Sequence, residues 1–497
     1  MQFNSIEFMC FFPVVLGIYF VIPGKCRRVW LLVASYYFYM GWNPKYVFLI
    51  ATSTLVTYFC GILLEKYNIR EKKHIQKIIL IICLVINLGI LGIFKYADFV
   101  IDTINSILGY IHIVTINKKF DLLLPVGISF YTFQALGYII DVYRGEMKAE
   151  KNLINYALFV SFFPQLVAGP IERSKNLLSQ VQNIANIKLW NEKRITSGAI
   201  RMVWGLFMKM VIADRVAILV NNVFDNYRMY GSTELVIAAI GFSIQIYCDF
   251  SSYSMIAIGA AQIMGIELME NFNAPYMAGS IREFWGRWHI SLSTWFKDYL
   301  YIPLGGNRRG KLRKIVNWAI VFLVSGLWHG AEWSFVAWGG VHAFVQTLEE
   351  ITVSYREKLI NKLKIKTKCF SWKLLRVLYT YIIVVFAWIF FRADTITDAL
   401  RFVKRIFIRP TPWLFFNGGI FTLGLDRIEM NILVFSVCIL FVVDLIKYKK
   451  RVTIDVFLME QNLWFEWVCV IGLILMIFIF GEYGPAFDAQ QFIYFQF

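Results

Sequence analysis

Long uncharged runs alternate with short polar, mostly basic segments along this chain. Tyr46–Leu64, Ile78–Phe94, Leu235–Cys248, Ser252–Ile266, Ile315–Trp328, Val377–Phe391 and Trp467–Phe480 approach or reach the roughly 20 apolar residues that cross a bilayer's hydrocarbon. A further run, Phe8–Ile22, has no basic segment before it and no small-residue cleavage site after it, so it reads as a retained span rather than a leader. The pattern predicts an all-α, polytopic membrane protein of about ten to twelve transmembrane helices, supplemented by re-entrant and interfacial ones.

The middle of the chain is less regular. Pro125, Pro164 and Pro170, with glycines and charges, interrupt the apolar pattern over 120–145 and 161–180. Broken helices at membrane depth are tolerated only where they are buried in protein or line a cavity, so a solvated interior is expected between about residues 120 and 350. The chain reads as a single membrane domain over 1–497. Peripheral spans occupy 1–119, a core carrying the candidate chemistry 120–350, and further spans 351–497. The polar stretches 351–373 and 392–429 read as interfacial helices and loops.

Composition agrees with a membrane protein: 58% of residues are hydrophobic and 18% aromatic. The net charge of +17 lies in clusters between apolar runs, which argues against nucleic acid and for loops facing anionic lipid. Lys25–Arg28, Lys66–Lys77, Asn307–Lys314 and Lys447–Arg451 are the strongest clusters. Placing all four in the cytoplasm predicts that both termini lie outside the cell membrane. The eight cysteines are scattered, and no metal site or permanently bound cofactor is read from them.

Candidate chemistry concentrates between 281 and 340. The segment 281–306 holds Arg282, Glu283, Arg287, His289, Lys297 and Asp298 among aromatics, which by periodicity alone describes an amphipathic helix at the interface. "GGNRRGKL" (305–312) has the spacing of a phosphate loop, but Leu312 stands where a magnesium-binding hydroxyl is required, so nucleotide hydrolysis is excluded. A glycine-rich basic loop remains, suited to holding phosphates or to anchoring the positive side. His329 is the sharper feature. A helix leaving that loop at Ile315 carries it about 21 Å along its axis, well into a core roughly 30 Å thick.

A neutral buried imidazole is a free base, although one satisfied by a single carbonyl can also be purely structural. Ser325, one turn earlier, and Glu332, three residues later, are its nearest polar companions in sequence. No nucleophile elbow, H-E-x-x-H or Cys–His pair accompanies any of the five histidines. A second histidine in a polar, aromatic setting, His289, would suit proton transfer around an acyl group. A proton-coupled transporter also buries histidines among broken helices, but the matching inverted halves such a protein shows are absent from this sequence.

"REFWGRWHISLSTWFKDYLYIPLGGNRRG" (282–310) followed by "SGLWHGAEWSFVAWGG" (325–340) resembles the membrane-bound O-acyltransferase (MBOAT) superfamily, in the branch of the alginate O-acetyltransferase membrane subunit. "PVGISFYTFQALGYIIDVYRG" (125–145), "FFPQLVAGPIER" (162–173), "YCDFSSYSMIAIGAAQIMGI" (247–266) and "FIYFQF" (492–497) extend the likeness over essentially the whole chain. Gly286 departs from the pattern, standing where a basic residue is expected, so no role carries over to it. The resemblance implies helices around a central funnel, His329 as the catalytic histidine and His289 as the second active-site position. It implies acetyl-coenzyme A as a co-substrate from the cytoplasm, an extracytoplasmic polysaccharide as acceptor, and an SGNH-type partner that completes the transfer. Arg308, Arg309, Lys311 and Lys314 are the residues expected to hold the donor's phosphates. A sister branch that passes D-alanine from a carrier protein to teichoic acid shares the same histidine pair and remains the alternative.

Overall fold

The computed structural model describes residues 1–69, 72–112, 116, 120 and 122–483, and is helical with no strand among them. The terminal "FIYFQF" lies outside the described residues, as does part of the Lys66–Lys77 cluster. The helices are α1 (Ile6–Val21), α2 (Gly24–Met40), α3 (Val47–Ile69), α4 (Lys73–Tyr110), α5 (Ile128–Tyr143), α6 (Leu153–Ser161), α7 (Phe163–Leu166), α8 (Ser174–Gln182) and α9 (Glu192–Phe207). They continue as α10 (Asp214–Asp225), α11 (Ser232–Ile263), α12 (Ile281–Trp285), α13 (Ile290–Phe296), α14 (Gly310–His329) and α15 (Trp333–Lys362). The last are α16 (Phe370–Arg392), α17 (Ile396–Ile408), α18 (Arg427–Lys450), α19 (Ile454–Met459) and α20 (Leu463–Phe480).

Among the described residues six helices are long and apolar enough to cross a membrane: α3 with its leading turn, α4, α11, α16, α18 and α20. α4, α18 and α20 leave most of their apolar surface uncovered, with Ile82, Val85, Phe435, Phe441, Val468 and Phe478 all exposed. Aliphatic and aromatic surface on that scale is stable only against lipid, so this is a multi-pass membrane protein. Helix ends follow the local chemistry. Asp426 and Glu429 form a reciprocal capping box at the start of α18, and Lys447, Lys449 and Lys450 crowd its last turn, where the helix dipole favours cations.

The chain divides into two compact units, 1–202 with 256–269, and 203–255 with 270–497. In the first, α3 packs on α4 and α5, and α2 on α6. The proline-interrupted region is built as short helices, among them the four-residue α7. In the second, α14 and α15 form the closest helix pair, and α15 packs in turn on α16.

α11 departs from the sequence pattern. The runs on either side of Asp249 are one continuous helix, with the carboxylate buried inside it. The charge is accommodated because a π-helical turn at Met208–Ala213 turns Lys209 inward, where its Nζ lies 2.6 Å from Asp249 Oδ1 and 2.8 Å from Asp214 Oδ1. Isolated, each of these charges would be prohibitive in apolar surroundings; together they satisfy one another. Beside them Arg215 pairs with Glu482 at 2.7 Å and donates to the Phe480 carbonyl at 2.8 Å, tying the end of α20 to this turn.

Candidate active site

The segment 281–306 does not form one amphipathic helix. Ser280 caps the short α12 by accepting the Glu283 N–H, the chain turns at Gly286, and α13 starts afresh after His289. A π-helical turn at Lys297–Tyr301 then leads into the glycine-rich loop. The break serves His289, whose backbone is left-handed (φ +43°, ψ +55°), a region that only glycine enters without steric cost. Asn271 holds the break open: its carbonyl accepts the Ile290 N–H at 2.9 Å, its Oδ1 the Ser291 N–H at 3.3 Å, and its own Nδ2 donates to Ser254 Oγ at 3.0 Å.

The result is a fully buried imidazole. The His289 ring lies 4.6 Å from the Phe250 ring centre and 5.8 Å from that of Trp328. Removal from water disfavours the cation and pushes this imidazole down to about 3, so His289 is neutral.

His329 is the last residue of α14, which begins at Gly310, five residues before the Ile315 start expected from the sequence, and it is 4% exposed. Its ring centre is 6.2 Å from that of His289, and Trp328, Trp338 and Phe391 pack edge-on against it at 4.9, 5.1 and 5.4 Å. Two imidazoles therefore share one chamber of aromatic carbon. Such surroundings strengthen any charge interaction formed there and exclude competing water. Of His329's companions, Ser325 is buried one turn back, while Glu332 caps the start of α15, where its carboxylate accepts from Ser334 Oγ at 3.4 Å.

A cavity of about 740 Å³ lies between α12, α13, the glycine-rich loop and α14. α14 lends it one face: Lys314, Trp318, Phe322 and Ser325 line it, and His329 is the next residue on the same stripe. From Lys314 to His329 the stripe runs about 22 Å. It joins a cation in the cavity wall to His329, although neither His329 nor His289 is among the residues lining the cavity. Two of the four loop and helix cations expected at the phosphate site, Arg308 and Lys314, are in this wall; Arg309 and Lys311 lie outside it, exposed.

Lys314 is already engaged, paired with Glu350 at 2.7 Å and lying 4.7 Å over the Trp318 ring. Two further cations, Arg282 and Lys297, are exposed and also line the wall, a convergence with the glycine-rich loop that an unbroken amphipathic helix would not produce. The signal that could have found them is the density of charge in 281–306, too high for any plain span.

Long membrane helices, and two histidines buried side by side among aromatic rings near a cation-walled cavity, place candidate acid–base chemistry inside a membrane protein. Residues 148–393 match the MBOAT, membrane-bound O-acyltransferase family, and the chain belongs to that family. It is 38% identical over 409 residues to the probable alginate O-acetylase AlgI of Pseudomonas aeruginosa, covering 82% of this chain and 75% of the relative. It is 34% identical over 432 residues to the peptidoglycan O-acetyltransferase of Helicobacter pylori, covering 81% and 79%. To the teichoic acid D-alanyltransferase of Bacillus subtilis it is 28% identical over 253 residues, covering 47% and 60%. The chain is thus an O-acyltransferase, and the longer, closer alignments are with proteins named for O-acetylation.

Proposed function

We propose that this enzyme takes an acetyl group from acetyl-coenzyme A on the cytoplasmic side of the cell membrane and passes it to a hydroxyl of an extracytoplasmic polysaccharide, the transfer being completed by an SGNH-type partner. The stripe on α14 from Lys314 through Trp318, Phe322 and Ser325 to His329 is the observation that carries this reading. In this reading the donor enters at a cationic mouth and its acyl end is directed along this stripe toward a base at the far end of the helix. Basic loops at 25–28, 307–314 and 447–451 support a cytoplasmic mouth, and with it an outside position for both termini. The greater coverage and identity of the O-acetylating relatives favour acetyl over D-alanyl transfer.

In the chemistry, an acceptor hydroxyl attacks the thioester carbonyl and His329 takes its proton; the C–S bond breaks and the departing thiolate is protonated. Alternatively, His329 first carries the acetyl group on nitrogen and yields it to the hydroxyl in a second step. His289, neutral and adjacent, donates to the carbonyl oxygen or to the leaving sulfur. Arg308 and Lys314, with Arg282 and Lys297, hold the donor's phosphates.

Proteoliposomes carrying the purified enzyme and radiolabelled acetyl-coenzyme A test the reading, with label counted on a polysaccharide acceptor supplied with its partner. Transfer is expected from wild type and to fall at least 100-fold in His329→Ala. Label accepted only from a D-alanyl carrier, or transfer undiminished in His329→Ala, overturns it.

A further inference from the structure

A third histidine lies behind the wall of the cavity. His342, on α15, is fully enclosed by four aromatic rings: Phe284, Trp285, Phe322 and Trp338. Trp285 and Phe322 line the cavity on their other side, as does Gln346, one helical turn beyond His342. The Trp285 indole N–H donates to His342 Nδ1 at 3.4 Å. An imidazole that accepts at Nδ1 carries its proton on Nε2, and that nitrogen has no hydrogen-bond partner among the described residues.

As core filling this is a poor choice. A phenylalanine would pack among the same rings without bringing a polar atom of its own, whereas the unmatched N–H is a standing cost. What the imidazole supplies and a phenyl ring does not is an acceptor for Trp285. The indole it holds belongs to the wall of the donor cavity, and Trp338 touches both His342 and His329.

We propose that His342 is a positioning residue of the acyl-transfer site, whose Nδ1 fixes the Trp285 indole in the cavity wall and so shapes the channel for the donor's acyl-bearing arm. The proposal rests on the reading of this cavity as the donor site. Its role is binding geometry rather than bond-making, so its loss appears in KM and leaves kcat nearly unchanged.

Three variants separate the possibilities. His342→Phe keeps the volume and removes the acceptor; Trp285→Phe keeps an aromatic ring and removes the donor; His342→Asn returns an acceptor at the Nδ1 position. With acetyl-coenzyme A as donor, His342→Phe and Trp285→Phe are each expected to raise KM about tenfold with kcat within twofold of wild type. The double variant is expected to be no worse than either alone, and His342→Asn to recover most of the loss.

An activity-independent readout runs beside the kinetics: the indole resonance of Trp285 in protein labelled with 15N-tryptophan, assigned by its disappearance in Trp285→Phe. It is expected to be unchanged in His342→Asn and shifted in His342→Phe. An unshifted resonance in His342→Phe, multiplying defects in the double variant, or a fall in kcat alone overturns the proposal. A wild type that does not turn over acetyl-coenzyme A refutes the donor reading instead, while the indole resonance still decides whether His342 holds Trp285.

Discussion

Gly326 of α14 lies so close to Phe335 of α15 that a Cβ at this position would fall 2.3 Å from the Phe335 carbonyl oxygen. The relation recurs along the helix pair, where a Cβ on Gly339 would meet the Phe322 carbonyl at 2.3 Å. These glycines bring the two backbones together and set the position of His329, three residues beyond Gly326. Gly326→Ala must push α14 and α15 apart. It is expected to destabilise the protein by about 1–3 kcal/mol and to cut transfer well beyond what the stability loss explains. Gly340→Ala is the control, since nothing lies within 4 Å of its Cβ, and it should match wild type in melting temperature and activity.

The left-handed backbone at His289 separates folding from function. Asparagine tolerates that conformation and valine does not. His289→Asn is expected to fold and reach the membrane while losing transfer by at least 100-fold; His289→Val should lose folded protein as well. Size-exclusion profiles in detergent, measured beside activity, distinguish the two outcomes.

The same residue sets a dependence on acidity. Its imidazole is pushed down from the ordinary 6.5 to about 3, so below pH 6.5 the unfolded chain binds a proton that the folded one refuses. The stability from keeping it neutral is present above pH 6.5 and is lost as pH falls toward 3. Melting temperatures of wild type should therefore drop over this window more steeply than those of His289→Asn. Equal slopes would mean that the ring is not enclosed.

Cations in and out of the cavity wall should behave differently. Replacing Arg308 with methionine, or Arg282 or Lys297 likewise, is expected to raise KM for acetyl-coenzyme A about tenfold each. Replacing Arg309 or Lys311 should change it by less than about twofold, because neither side chain lines the cavity. A uniform response across all five would show that the loop acts through its summed charge.

Lys209→Met leaves Asp214 and Asp249 buried without their cation and is expected to cost about 3–5 kcal/mol. Changing all three to apolar residues of similar volume should recover most of this. Thermal unfolding in detergent of the single and triple variants measures the difference.

Much of the molecule is legible in its sequence because lipid imposes a simple rule on long apolar runs, and because a histidine placed beyond such a run is conspicuous. His329 at the end of α14 follows from counting residues. Asp249 is harder to read: a carboxylate between two runs looks like a boundary, and only the π-turn that delivers Lys209 makes the helix continuous. His342 is hidden by helical spacing, since an isolated histidine on an apolar helix face gives no sign of which ring it will meet. That Arg308 lines the cavity and its sequence neighbour Arg309 does not is a matter of loop geometry, in a segment where Gly305 and Gly306 have positive φ.

The Lys209 network also limits how this chain can diverge. A lineage that loses Lys209 first carries two buried carboxylates without their cation until they change as well, so such intermediates on the way to an uncharged version are less fit to fold than either end. The three positions form a mutational lock. Descendants are expected to keep all three together, with the π-turn that joins them, or to have replaced them as a set.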